Sequence, residues 1–209
     1  MNKRGTLVVV SGFSGAGKGT LMCQLINRHD NYALSISATT RNPREGEVDG
    51  REYFFGTKED FELLIANDNL IEYAQYVNHY YGTPRSYVEE QLNKGKDVIL
   101  EIEIQGALKV KEKHPDTLLL FVVPPSIDEL KNRLVMRGTE CDEVIDSRIE
   151  RAVEEAKGMK AYDYILVNDN VTTCVEQMHM VIQGAKSSVG NNGELISNIQ
   201  EDLIKYINK

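Results

Sequence analysis

"GFSGAGKGT", residues 12–20, follows the apolar run Leu7–Val10 and leads into a helical pattern carried by Leu21, Leu25 and Ile26. A loop that binds phosphate in this setting has a spacing of Gly, four residues, Gly, Lys, then Ser or Thr. Gly12, Gly17 and Lys18 meet it. Position 19 is Gly, and the hydroxyl arrives one place late at Thr20. Context decides between a working site and a chance run of glycines. A strand ends here and a helix begins, so backbone N–H groups from Gly12, Phe13, Ser14, Gly15, Ala16, Gly17, Lys18, Gly19 and Thr20 can ring a phosphate at the positive end of a helix dipole. Lys18 then reaches the β and γ oxygens of a nucleoside triphosphate. The hydroxyl normally serves Mg²⁺, an ion that keeps several waters and leans on substrate phosphates. Thr20 or a nearby carboxylate can orient those waters. The stretch reads as a working nucleotide site with Mg²⁺ accompanying the phosphates.

Three more apolar runs, Val98–Leu100, Leu118–Val123 and Tyr164–Val167, lack polar alternation, so both faces of each are expected to be buried as in a central parallel strand. Helical patterns separate them, which predicts a three-layer α/β fold around a parallel sheet. Residues 36–90 break the rhythm. They are polar and turn-rich, then carry an aromatic run at Tyr53–Phe55, a helix capped by Thr57 with Phe61, Leu64 and Ile65 on one face, and a short strand at Ile71–Tyr76. This is an inserted α+β lobe. A second insertion, 137–157, is charged and helical, with Ile145, Ile149, Ala152 and Ala156 in one stripe and Arg148, Arg151 and Glu155 facing elsewhere. The core is then 1–35, 91–136 and 158–209, ending in a polar joint at 186–195 and an amphipathic helix.

Bulk properties exclude several classes. At 41% hydrophobic and 27% charged the chain can bury an ordinary core. A net charge of −8 argues against a nucleic-acid polymer as partner, though not against one basic pocket. The apolar run ending at Val10 is too short for a signal peptide or a membrane span. Cys23, Cys141 and Cys174 are odd in number and far apart, which speaks against a disulfide framework and for a cytoplasmic setting. His29, His79, His114 and His179 are scattered, without metal-ligand spacing.

"SISATTRNPREGEVDGREYFF" (35–55) resembles the nucleotide-acceptor signature of guanylate kinases. "IEYAQYVNHYYGTP" (71–84), "EIEIQG" (101–106), "PPS" (124–126), "RLVMRGTE" (133–140) and "VND" (167–169) follow in that family's order, over roughly residues 6–185. The resemblance implies transfer of the ATP γ-phosphoryl group to GMP, giving GDP and ADP, in purine nucleotide metabolism. The 36–90 lobe becomes the GMP-binding lobe and 137–157 a helical lid. The matched residues suit these tasks. Arg41 and Arg44 can fork onto the GMP phosphate, with Tyr53 and Tyr81 adding hydroxyl donors. Guanine presents N1–H and N2–H₂ side by side, and the Glu72 carboxylate can accept from both, whereas adenine has an acceptor at N1. By resemblance Ser37 and Thr83 stand beside the acceptor, Arg133, Arg137 and Arg148 cross the phosphates, and Asn168 belongs to the ATP side. The family usually shows Asp-x-Asp where this chain has Glu101 and Glu103. One carboxylate is expected to serve Mg²⁺ through water and the other to face the acceptor base or an arginine; Glu101 is assigned to the metal and Glu103 to GMP. A protein-binding scaffold domain of the same fold typically lacks the loop lysine, which is present here, and Glu72 with the two arginines argues against AMP or dTMP as acceptor. Either a monomer or a homodimer fits.

Overall fold

The computed structural model describes residues 4–76, 78–136 and 142–208. β1 (Leu7–Gly12) runs into the loop and then α1 (Lys18–Arg28). Next come β2 (Tyr32–Leu34), β3 (Ser37–Thr39), β4 (Tyr53–Phe55), α2 (Lys58–Ala66), β5 (Leu70–Tyr76), β6 (His79–Pro84) and α3 (Arg85–Asn93). The chain continues through β7 (Asp97–Glu101), α4 (Ile104–Lys113), β8 (Leu118–Val123), α5 (Ile127–Met136), α6 (Asp142–Lys157), β9 (Tyr164–Val167), α7 (Val171–Ala185) and α8 (Gly193–Ile207).

The core sheet has the order β2-β7-β1-β8-β9, and every pair in it is parallel. Alternate residues of β1 feed different layers. Val8 and Val10 pack with Leu21, Met22 and Leu25 of α1 and with Val175, Met178 and Ile182 of α7. Val9 packs on the opposite face with Val88 and Leu92 of α3 and Ala107 and Val110 of α4. The sheet is therefore sandwiched between helices, as expected for buried parallel strands. β1 lies between β7 and β8, where the winding reverses, so the loop at its carboxyl end occupies the crevice in which such sheets take ligands.

Two details differ from the sequence expectation. β2 has only three residues and pairs on one side with β7, too short a run to signal itself by periodicity. The expectation that both faces of Tyr164–Val167 are buried is wrong: Tyr164, Ile165 and Val167 are 45%, 52% and 47% exposed, and only Leu166 is covered. Among the described residues β9 pairs with β8 alone, which makes it an edge strand.

A second sheet, β4-β3-β6-β5, forms within residues 37–84. α2 begins at Thr57, which accepts from Asp60 N–H while the Asp60 carboxylate accepts from Thr57 N–H. Its Phe61 is buried against Ala38 and Leu70, and Leu64 and Ile65 pack beside it. The β5–β6 ladder slips between Leu70 and Tyr73, an irregularity that redirects the side chains of the intervening residues. In α6, Ile145 and Ala152 are buried and Ile149 packs on the same core, whereas Ala156, in the last turn, is exposed. α8 is amphipathic but has no buried residue; Leu195, Ile199, Leu203 and Ile207 are exposed along it. Among the described residues no helix is long and apolar enough to cross a membrane.

Candidate active site

The phosphate loop is closed by its glycines. Gly15 and Gly17 adopt φ of 92° and 89°, left-handed values that an L side chain resists. Gly17 is also crowded: a Cβ there would lie 2.5 Å from Asn168 Nδ2. Asn168 explains the closeness. It is buried just beyond β9, and its Nδ2 donates to Ala16 O at 2.8 Å, clamping the loop from the side. Arg133 Nη2 donates to Asn168 O at 3.0 Å, and its Nε to Glu129 at 2.7 Å, so that guanidinium braces the same corner. Lys18 opens α1 and its Nζ donates to Gly12 O at 2.7 Å and to Phe13 O at 3.2 Å. Gly19 has open space around it, and Thr20 is exposed in the first turn.

In front of the loop lies a cavity of about 500 Å³ lined by Ser11, Gly12, Ser14, Lys18, Glu101, Glu103, Arg148, Arg151 and Glu155, among others. The size suits a small ligand. Glu101 ends β7 at the open end of the strand. Its side chain is exposed to the cavity, yet the surrounding protein desolvates the carboxyl enough to push it above the usual range, and the Lys18 charge pulls it back. Glu103 sits two residues on, at the start of α4. Arg148 Nη1 donates to Ser14 Oγ at 2.5 Å, bringing α6 onto the loop. Arg151 Nη2 donates to Glu103 Oε1 at 2.5 Å and its Nε to Glu155 Oε1 at 3.2 Å. Burial raises the Glu155 carboxyl, offset first by Arg151 and then by Lys18.

The second sheet assembles the other group. Thr83 is fully buried and its Oγ1 donates to Glu72 Oε1 at 2.8 Å. Burial pushes the Glu72 carboxyl up, with the Thr83 hydrogen bond opposing it. Arg41 lies over the Tyr53 and Phe55 rings, 5.2 and 5.7 Å from their centroids. Its Nη1 and Nη2 donate to the two Glu47 oxygens, both at 2.9 Å, and Glu47 also accepts from Arg44 N–H at 2.7 Å. Tyr53 and Tyr81 meet edge-on with centroids 6.1 Å apart, and Ser37 pairs with Tyr53 across the sheet.

The fold thus draws Lys18, Glu101, Glu103 and Arg148 to one cavity, and Arg41, Arg44, Tyr53 and Tyr81 to one sheet and its loop. Thr20 does not line the cavity. Arg137 lies outside the described residues, as does Cys141. Among the described residues no cluster of three or more His, Cys, Asp or Glu side chains could hold a metal ion. Glu47, Arg151 and Glu155 were missed as site residues. The signal for the last two was available, since they share the polar face of α6 with Arg148 at spacings of three and seven. Glu47 gave none beyond being one acid in a charged loop.

Comparison with known proteins points to one family. A family model described as guanylate kinase matches residues 4–185. The chain is 47% identical over 204 residues to a guanylate kinase of Caldanaerobacter subterraneus, covering 98% of this chain and 99% of that protein, so the segment beyond 185 is shared with a relative. It is 53% identical over 184 residues to a guanylate kinase of Streptococcus thermophilus, 88% of each chain. The crystal structure of guanylate kinase from Anaplasma phagocytophilum has a TM-score of 0.70 at 29% identity, over 90% of this chain and 89% of that one. The chain belongs to the guanylate kinase family.

Proposed function

We propose how the residues of this site divide the work of the family's reaction. The enzyme phosphorylates GMP with ATP, giving GDP and ADP. Phosphoryl transfer leaves little covalent chemistry to a protein; positioning and charge neutralisation carry it. Loop N–H groups from Gly12 to Thr20 hold the β and γ phosphates, and Lys18 leaves its carbonyl partners to neutralise the transferring group. Arg133, Arg137 and Arg148 supply further positive charge as it spreads over the equatorial oxygens. No general base is required, because the attacking GMP phosphate is already anionic.

On the acceptor side Arg41 and Arg44 grip the GMP phosphate, with Tyr53 and Tyr81 donating to it. Arg41 donates from Nη1 and Nη2 to Glu47 and from Nη1 to Asn42 O, and these contacts hold the guanidinium in place for the phosphate. Glu72 accepts from guanine N1–H and N2–H₂. Thr83 fixes its carboxylate from behind, with Ser37 and Glu103 close to the base. Mg²⁺ bound with ATP screens the phosphate charges. The donor set suits an ion held mainly by phosphates and water: Glu101 is a strand-end carboxylate beside Lys18, and it would act through water, with Thr20 at most a distant contributor. Segments 36–90 and 137–157 act as acceptor lobe and lid on the core of 1–35, 91–136 and 158–209. A cytoplasmic monomer or homodimer supplied with ATP and GMP is the setting proposed.

The observation that carries the reading is the buried Thr83–Glu72 hydrogen bond, which leaves a carboxylate prepared for a pair of donors. A coupled ADP-release assay with GMP, AMP, dTMP and UMP in parallel tests it. GMP is expected to be preferred by orders of magnitude; comparable turnover of AMP would overturn the assignment of Glu72.

A further inference from the structure

Arg148 and Arg151 are three residues apart on α6, hence on one side of a single rigid helix. Arg148 touches the donor side of the cavity at Ser14. Arg151 reaches past it to Glu103, 48 positions away in the chain, which begins α4 directly after β7. The same guanidinium holds Glu155, whose carboxyl feels the Lys18 charge. One side chain therefore joins α6, the loop lysine's surroundings and the strand end that carries the acceptor-side carboxylate. The Arg151–Glu103 pair is well exposed, at 44% and 69% of the two side chains, so it contributes little to folding stability. What sets it apart is the set of elements it spans.

We infer that Arg151 is a positioning residue that couples occupancy of the GMP pocket to the seating of α6 over the phosphate loop. The inference rests on the reading of Glu103 as an acceptor-side group. With GMP bound, the Glu103 carboxylate is shared between nucleotide and guanidinium, which fixes the carboxylate, the guanidinium and the helix that bears it. Arg148, one turn away, is then held where ATP phosphates arrive. Thermodynamic linkage makes the effect reciprocal: GMP tightens ATP by the same factor as ATP tightens GMP.

Calorimetric titration of the whole protein with a non-hydrolysable ATP analogue, with and without saturating GMP, tests this. In the wild type GMP is expected to tighten the analogue by about fivefold or more. Arg151→Gln should reduce that factor to within about twofold of unity while the analogue alone binds as in the wild type, and Arg151→Lys should restore part of it. An unchanged melting temperature and an unchanged affinity for the analogue alone separate this from a merely structural loss. Coupling absent from the wild type, intact in Arg151→Gln, or lost only because the analogue itself no longer binds would each overturn the inference. GMP binding to Glu103→Gln, measured without the analogue, tests the underlying reading separately. Unchanged affinity there removes Glu103 from the acceptor pocket and the route through it. Weakened GMP binding together with intact coupling in Arg151→Gln overturns the coupling role alone.

Discussion

Thr83 Oγ1 lies 2.8 Å from Glu72 Oε1, and both residues are buried inside the second sheet, at the slip in the β5–β6 ladder. The hydroxyl satisfies one carboxylate oxygen and orients the other. A buried carboxylate prepared in this way selects for a base with two adjacent donors, because a mismatched base leaves a polar group unpaired.

Glu72→Gln replaces an acceptor with a donor NH₂ and sets donor against donor at one guanine contact. Loss of one hydrogen bond to a charged group lowers kcat/KM for GMP by about ten- to a hundredfold. Affinity for ATP should not change. Steady-state kinetics with GMP and AMP, with ATP binding measured alongside, check this; unchanged GMP kinetics would remove Glu72 from the recognition of guanine.

The same residue gives stability a pH dependence. Burial raises the Glu72 carboxyl, so the folded protein holds this proton more tightly than the unfolded chain does. The stabilisation from that proton is fully present below the unfolded glutamate range and is lost as pH rises through the folded value. Glu72→Gln cannot ionise and keeps it. The variant should melt above the wild type at about pH 8, and the gap should close towards about pH 4, where an unfolded glutamate is itself protonated. Thermal melts across that range decide; a gap that widens on acidification would contradict the sign.

Lys18→Met should leave the fold intact and remove most turnover, because the lost charge acts mainly on the transferring phosphoryl group. Retention of more than about a tenth of wild-type kcat, a barrier change below about 1.4 kcal/mol, would exclude Lys18 from the chemical step.

Gly17 and Gly19 should respond in opposite ways. Gly17→Ala puts a Cβ 2.5 Å from Asn168 Nδ2 at a φ of 89°, so the loop or its Asn168 clamp must move. Strain of that kind costs about 1–3 kcal/mol, and ATP affinity should fall with it. Gly19 has no atom within 4 Å of an added Cβ and sits inside α1. Gly19→Ala should therefore stabilise by about 0.5–1 kcal/mol with ATP affinity retained. Chemical denaturation and ATP titration of both variants test the contrast.

Glu47 holds Arg41 through both of its oxygens and accepts from Arg44 N–H as well. Glu47→Gln weakens this scaffold without removing either arginine. KM for GMP should rise several-fold with KM for ATP and kcat nearly constant. A variant whose KM for GMP is unchanged would show that Arg41 orients itself without Glu47.

The sequence by itself determined the parallel core and the strand–loop–helix turn between β1 and α1, because those signals are local. An apolar run, left-handed glycines at fixed spacing and a lysine opening a helix require no distant partner to be read. The α2 cap was legible for the same reason, since Thr57 and Asp60 are three residues apart. Tertiary structure decided what depends on neighbours far along the chain. Tyr164–Val167 reads as a buried strand, yet it became an edge because, among the described residues, β8 is the strand that pairs with it. Glu72 acquired its raised carboxyl from burial, against the pull of its Thr83 hydrogen bond, at a slip in the ladder that no periodicity reveals. Glu101 and Glu103 look equivalent as letters. They differ because one points to the Lys18 side of a strand end and the other meets a guanidinium arriving from α6. A carboxylate's partner is set by which elements converge on it, and that convergence exists only once the sheet has been wound.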